Sequence, residues 1–299
     1  MITIDSLTKK YGGKTVVHDI SFTAQPGRVT GFLGPNGAGK STSMRMMVGL
    51  TKPTSGSATI SGRRFADLPN PAREVGVMLD ASAQHAGRTG REILTVAQQI
   101  MDVPARRVDE LLDVVSLTEA EADQRVGGYS LGMRQRLGIA ATLIGDPTVL
   151  ILDEPANGLD PAGIRWMRDL LRDYADQGGT VLLSSHLLAE IEIIADDIVM
   201  IGKGRIVSQG SKAELLRADG TVARAADLAA LQRTLAAAGL ASTVTEDGSL
   251  HTEAEPVAVG QAAYDGGVVL TELRHADNGG LEEMFLELTA DTQRERTAA

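Results

Sequence analysis

The stretch Val29-Thr30-Gly31-Phe32-Leu33-Gly34-Pro35-Asn36-Gly37-Ala38-Gly39-Lys40-Ser41-Thr42 decides the fold class. Val29 to Leu33 is a short apolar run, the length of a buried strand. Gly34 to Ser41 then fits the phosphate-loop pattern G-x-x-x-x-G-K-S/T. Behind it, Met44, Met47, Val48 and Leu50 recur at helical spacing. Strand, glycine loop and helix are the context that such a loop needs. Its glycines let backbone N–H groups turn inward and cradle phosphate oxygens. A helix starting near Ser41 and Thr42 points its positive end at the same anion. In this pattern Lys40 reaches the β- and γ-phosphates and the Ser41 hydroxyl ligates Mg²⁺. The expected nucleotide cradle is therefore Gly34, Pro35, Asn36, Gly37, Ala38, Gly39, Lys40, Ser41 and Thr42.

A chain of 299 residues has room for one large and one small domain. Hydrophobic residues are 43% of it but aromatics only 3%, so the core must be aliphatic. The absence of cysteine excludes disulfides, thiolate metal sites and cysteine nucleophiles, and fits a reducing compartment. A net charge of −10 argues against nucleic acid or anionic lipid as the main partner. No stretch approaches the ~18 apolar residues of a membrane span. Asp5 and the lack of a long apolar run argue against a signal peptide. A cytoplasmic protein is expected.

Outward from the loop, strands alternate with helices. Ile2–Ile4 and Val16–Ala24 read as strands, with Lys9 to Gly13 between them as a polar glycine turn. Val75–Leu79, Thr148–Leu152 and Thr180–Leu183 read as buried strands. Arg91–Met101, Arg106–Val115, Leu137–Ile144, Gly163–Ala175 and Leu187–Ile194 have helical patterning. Ile198–Ile201 and Arg205–Ser208 flank a Gly202-Lys203-Gly204 hairpin signal. This order predicts an α/β domain with a largely parallel sheet over residues 1–216. Composition then shifts: no lysine follows Lys212, and from Thr221 onward 13 acidic residues face 5 arginines, carrying −8 of the −10. Short elements there run strand, helix, strand, strand, helix, strand. That order predicts a small acidic ferredoxin-like α+β domain over 217–299, ending in a helix from Leu281 to Leu288.

Further chemistry sits at strand ends. The aliphatic run Thr148–Leu152 leads into Asp153 and Glu154. Asp153 can hold Mg²⁺, and Glu154 can orient and deprotonate an attacking water. His186 follows an apolar strand and two serines, where ligands bind in open α/β sheets. It could hydrogen-bond a γ-phosphate; by itself it reads as well as a structural histidine. Tyr11 could stack on adenine or be a plain exposed loop residue. Ser130 opens an arginine-rich helix, as a second anion site or as an ordinary cap.

Together, Tyr11, Gly34–Ser41, Tyr129–Met133, Val149–Glu154, Gly158-Leu159-Asp160 and His186 resemble, in order, the motifs of the ATP-binding cassette (ABC) ATPases. The likeness covers residues 1 to about 215. The signature of that family is usually Leu-Ser-Gly-Gly-Gln; here it reads Tyr129-Ser130-Leu131-Gly132-Met133, keeping Ser130 and Gly132. The tail, Leu281 to Leu288, resembles the daunorubicin-resistance exporter branch.

The resemblance implies a P-loop NTPase fold and hydrolysis of ATP, with Mg²⁺ as cofactor. It implies head-to-tail pairing with a second cassette, each ATP lying between one chain's phosphate loop and the other's Ser130 and Gly132, with Asp160 crossing the interface. It implies an integral membrane permease as partner, docked on the loop after Val75–Leu79, and so a peripheral place on the inner face of the membrane. The implied role is the ATPase subunit of a two-component transporter, with export expected from the tail. The rival is a cassette ATPase acting on nucleic acid or ribosomes. Repair-type members need long coiled-coil inserts, for which Leu50 to Gly128 leaves no room, and translation-type members resemble two cassettes in one chain. A non-catalytic cassette would be expected to lack Glu154 or His186.

The chain departs from the family in the loop after Leu79. The usual Gln is Asp80 here. Asp80 can do that residue's work through Mg²⁺, or Gln84 can supply the amide from farther along, or Asp80 can simply cap the following turn.

Overall fold

The computed structural model describes residues 1–185, 188–245, 247–277, 281 and 284–286. They fall into two compact units, Met1–Lys212 together with Phe285 and Leu286, and Ala213–Met284.

In the first unit the strands are β1 (Ile2–Tyr11), β2 (Lys14–Ala24), β3 (Arg28–Leu33), β4 (Ser55–Ile60), β5 (Val75–Met78), β6 (Val149–Asp153), β7 (Thr180–Ser185), β8 (Asp197–Gly202) and β9 (Arg205–Ser211). The longer helices are α1 (Lys40–Met47), α2 (Gly90–Met101), α3 (Arg107–Val114), α4 (Leu131–Leu143), α5 (Pro161–Asp176) and α6 (Leu188–Ile194). Six strands form one sheet in the order β5-β6-β7-β3-β8-β9. All its pairings are parallel except the hairpin of β8 with β9. That hairpin turns at Lys203 and Gly204, both at positive φ, as a two-residue turn requires.

A second, antiparallel sheet has the order β2-β1-β4. Here the sequence expectation was too short. Strand β1 continues through Lys9 and Lys10 to Tyr11, and only Gly12 and Gly13 turn. Most of the added residues are polar, so periodicity does not reveal them; pairing to β4 as far as Thr8, and to β2 out to Tyr11, holds them extended. The two sheets and α1 share one aliphatic core that includes Ile2, Leu7, Ile20, Met44, Met47, Ile151 and Leu182. Helix α1 is buried on most sides, with Met44, Met46 and Met47 inside, and this sets the phosphate loop rigidly on the end of β3.

Strands in the second unit are β10 (Arg217–Ala225), β11 (Thr243–Val244), β12 (Leu250–Thr252) and β13 (Leu270–Asp277); its helices are α7 (Leu228–Ala237) and α8 (Pro256–Asp265). The antiparallel order β11-β12-β10-β13 is the ferredoxin-like arrangement expected from the element order. Ala223, Leu231, Leu235, Leu250 and Val259 form its core. Most of the helix expected at Leu281–Leu288 lies outside the described residues.

Candidate functional site

The loop after β3 is built by backbone that only glycine allows. A Cβ on Gly34 would lie 2.4 Å from the Ile201 carbonyl oxygen, while Gly37 and Gly39 stand at φ +83° and +110°. The Ala38 N–H donates to the Pro35 carbonyl (3.1 Å), closing the loop. Lys40 is only 6% exposed. Its Nζ donates to the Gly34 oxygen at 2.5 Å, so the ammonium lies inside the loop. Burial lowers its pKa, and the Glu154 and Asp153 carboxylates oppose that shift. The two acids on the end of β6 therefore act on the lysine of the loop.

A cavity of about 440 Å³ brings these parts together. Pro35, Asn36, Gly37, Gly39, Lys40, Ser41 and Thr42 line it, and Asp80, Leu131, Gln135, Asp153, Glu154 and Asn157 are among the other lining residues. The donors facing it, the Ser41 hydroxyl and the carboxylates, are hard oxygens, a set suited to Mg²⁺. Among the described residues no three acidic or histidine side chains cluster closely enough to cage an ion. A magnesium ion here fits only as one that shares its shell with phosphate oxygens, which is how Mg²⁺ is usually held.

Residues that pattern reading passed over organise the acids. Ser184 faces Asp153 across the β6–β7 register, and its hydroxyl donates to Asp153 Oδ1. The Glu154 N–H donates to Ser184 Oγ (3.1 Å) and to the Ser184 carbonyl (3.2 Å). Gln135 Nε2 donates to the Glu154 carbonyl (3.3 Å). Glu154 itself stands at φ +52°, a left-handed conformation that costs a non-glycine residue about 1 kcal/mol or more. The only sequence signals for these partners are the serine pair at the end of β7 and a glutamine two residues past Met133.

Asp80 lines the cavity and also caps: Oδ1 accepts from the Ser82 N–H (2.8 Å) and hydroxyl (2.6 Å). Those two bonds hold its carboxyl below the usual range. Gln84 does not line the cavity. Its Nε2 donates to the Arg134 carbonyl (3.4 Å), and its buried Oε1 has no partner among the described residues.

Ser130, Gly132 and Asp160 are not in this cavity. They line a second cleft of about 370 Å³ with Met133, Arg136, Gly158 and Leu159; it adjoins the first at Leu131, which lines both. Ser130 caps α4 by accepting from the Met133 N–H (3.2 Å), and Asp160 caps α5 by accepting from the Gly163 N–H (2.8 Å). Gly132 and Gly158 approach so closely that a Cβ on Gly132 would sit 3.1 Å from the Gly158 oxygen. Tyr129 is buried, its hydroxyl donating to the Glu121 carbonyl (2.6 Å), so it holds the cleft's wall. Tyr11 stands 51% exposed, outside the cavity lining, with Lys9 Nζ 4.7 Å from its ring centroid. His186 lies outside the described residues.

The arrangement matches known proteins. A protein-family model described as ABC transporter matches residues 17–157. YhcH of Bacillus subtilis (strain 168), an uncharacterized ABC transporter ATP-binding protein, is 42% identical over 210 residues, 69% of this chain and 68% of that protein. BcrA of Bacillus licheniformis, a bacitracin transport ATP-binding protein, is 41% identical over 212 residues, 70% of this chain and 69% of that one. A solved structure of an ATP-binding subunit of an ABC transporter superposes with a TM-score of 0.66 at 29% identity, covering 72% of this chain and 91% of its own.

Proposed function

The chain belongs to the ATP-binding proteins of ABC transporters, and from that premise we propose how its residues bind and hydrolyse ATP to power a separate membrane permease. The observation that carries the reading is the shared cavity: the phosphate loop and the two β6 acids open onto one space. Lys40 and the loop N–H groups hold the β- and γ-phosphates, and Ser41 and Asp153 hold Mg²⁺. When bound, Mg²⁺ offsets charge on the phosphate oxygens. Glu154 orients the attacking water and accepts its proton. Asp80, which lines the same cavity, would hold that ion or the water. His186 is assigned to the γ-phosphate by the family resemblance.

That Ser130, Gly132 and Asp160 line the second cleft and not the first supports action in trans. Ser130 and Gly132 close over the nucleotide of a second cassette, with Asp160 at the same interface. Tyr11, exposed at the end of β1, stacks on the base. Among the described residues no helix is long and apolar enough to cross a membrane, so attachment runs through the permease. Export is the direction favoured by the tail resemblance, and transport of bacitracin by a 41% identical relative is compatible with it.

Glu154→Gln tests the core of this reading. It keeps shape but cannot take the water's proton, so it should bind ATP, turn over very slowly and accumulate as an ATP-bound dimer in size-exclusion chromatography with Mg·ATP. Normal hydrolysis by this variant would remove Glu154 from the role.

A further inference from the structure

We infer that Gln135 and Ser184 are positioning residues that aim the Glu154 carboxylate by holding its main chain from both sides; this rests on the reading of Glu154 as the base. At a residue with φ +52° the chain turns sharply, and the direction of Cα–Cβ follows from the two flanking peptide planes. The plane before Glu154 is fixed by its N–H, which donates to both Oγ and the carbonyl of Ser184. The plane after it is fixed by its carbonyl, which accepts from Gln135 Nε2. With both planes held, the Glu154 side chain leaves the backbone in one direction, into the cavity it lines. Ser184 also donates to Asp153, so one hydroxyl sets the register of both acids.

Packing does not explain Gln135. Its side chain is buried, yet Oε1 has no partner among the described residues. A buried unpaired amide oxygen destabilises. An aliphatic residue of similar size would serve stability better, so the amide is retained for what Nε2 does. Gln135 also stands on α4, the helix that Ser130 caps and that begins with the second cleft. A shift of that helix on engaging a second cassette moves the donor that holds Glu154.

The experiment uses the full-length chain and reads kcat, KM for Mg·ATP and thermal midpoint. Gln135→Leu should lower kcat about 10- to 100-fold, the usual cost of misplacing a reacting group by about 1 Å. KM should stay within about twofold and the midpoint should hold or rise, because the unpaired oxygen leaves with the donor. Ser184→Ala should lower kcat less, since Glu154 keeps the Ser184 carbonyl. In a Glu154→Gln background, Gln135→Leu should cost nothing further, as it acts through Glu154. Wild-type kcat in Gln135→Leu, or full additivity in that background, overturns the inference. So does a midpoint that falls in step with kcat across Gln135→Leu, Gln135→Met and Ser184→Ala, which is the mark of a structural role. If Glu154→Gln hydrolyses normally the base assignment fails; if it is inactive while Gln135→Leu is unimpaired, only the clamp fails.

Discussion

Gly34→Ala adds one methyl group at the point where the phosphate loop leaves β3. The new Cβ would lie 2.4 Å from the Ile201 oxygen, 2.7 Å from Ile201 Cγ2 and 3.3 Å from Ala38 Cβ. Relief needs a displacement of about 1 Å. Ile201 is fully buried near the end of β8 and paired to Ile206 of β9, so it yields less readily than the loop. The loop must move instead, and with it the Gly34 carbonyl that holds Lys40. A displacement of about 1 Å in a preorganised site costs about 100-fold, or about 2.7 kcal/mol. Gly37→Ala is the control. Its Cβ meets nothing within 4 Å, and only φ +83° opposes it. That strain is about 1 kcal/mol, or about fivefold. Calorimetric titration with Mg·ATP should rank the affinities wild type, Gly37→Ala, Gly34→Ala. A Gly34→Ala variant that binds ATP within threefold of wild type, or better than Gly37→Ala, refutes the argument that Ile201 anchors the loop.

Ser130→Arg should leave ATP affinity unchanged and abolish the dimer seen with Mg·ATP, because it fills the second cleft with a bulky cation; mixed with Lys40→Ala protein, it should leave at most one working site, and independent additive activities would contradict action in trans. Asp80→Ala should lower ATPase activity stimulated by the permease severalfold with little change in nucleotide affinity, while Gln84→Ala, which changes a residue outside the cavity, is nearly silent in the same assay. Asp196 provides a pH test remote from the site. Burial pushes its carboxyl up, but Arg172, the Val29 N–H and Arg28 outweigh that and hold it below the usual value. A depressed pKa contributes stability that is present above about pH 4 and lost as pH falls through the folded-state value. Asp196→Asn should therefore melt about 2–4 °C lower at pH 7, for a loss of about 1 kcal/mol, and the gap should close as pH falls through the folded-state value. A gap independent of pH would sever it from this carboxylate.

The phosphate loop, the Asp153-Glu154 pair and the serine that opens α4 were legible in the sequence because each is a local pattern; a role for that serine toward a second nucleotide came only from the family resemblance. A turn made of glycines, a strand ended by acids and a helix opened by serine are readable over a dozen residues, since their physics lies in φ, ψ and hydrogen bonds between near neighbours. The parallel sheet followed from the alternation of apolar runs with helical spacing. The length of β1 did not, because Lys9 and Lys10 are extended only by pairing with β2. Nor could sequence divide the work around Asp80. Only tertiary structure shows that it caps Ser82 and still faces the cavity, while Gln84 turns toward α4.

What the chain alone determined is the identity of the groups that carry charge and protons. What the fold decided is where they point. Gln135 and Ser184 lie 19 residues before and 30 residues after Glu154, and nothing in their spacing marks them. They meet it because β6 and β7 are parallel neighbours and because α4 packs on β5, the strand next to β6, contacts that depend on the whole core closing at once. Direction is a property of that closure: a carboxylate at a strand end becomes a base for one water only when both of its flanking peptide planes are held.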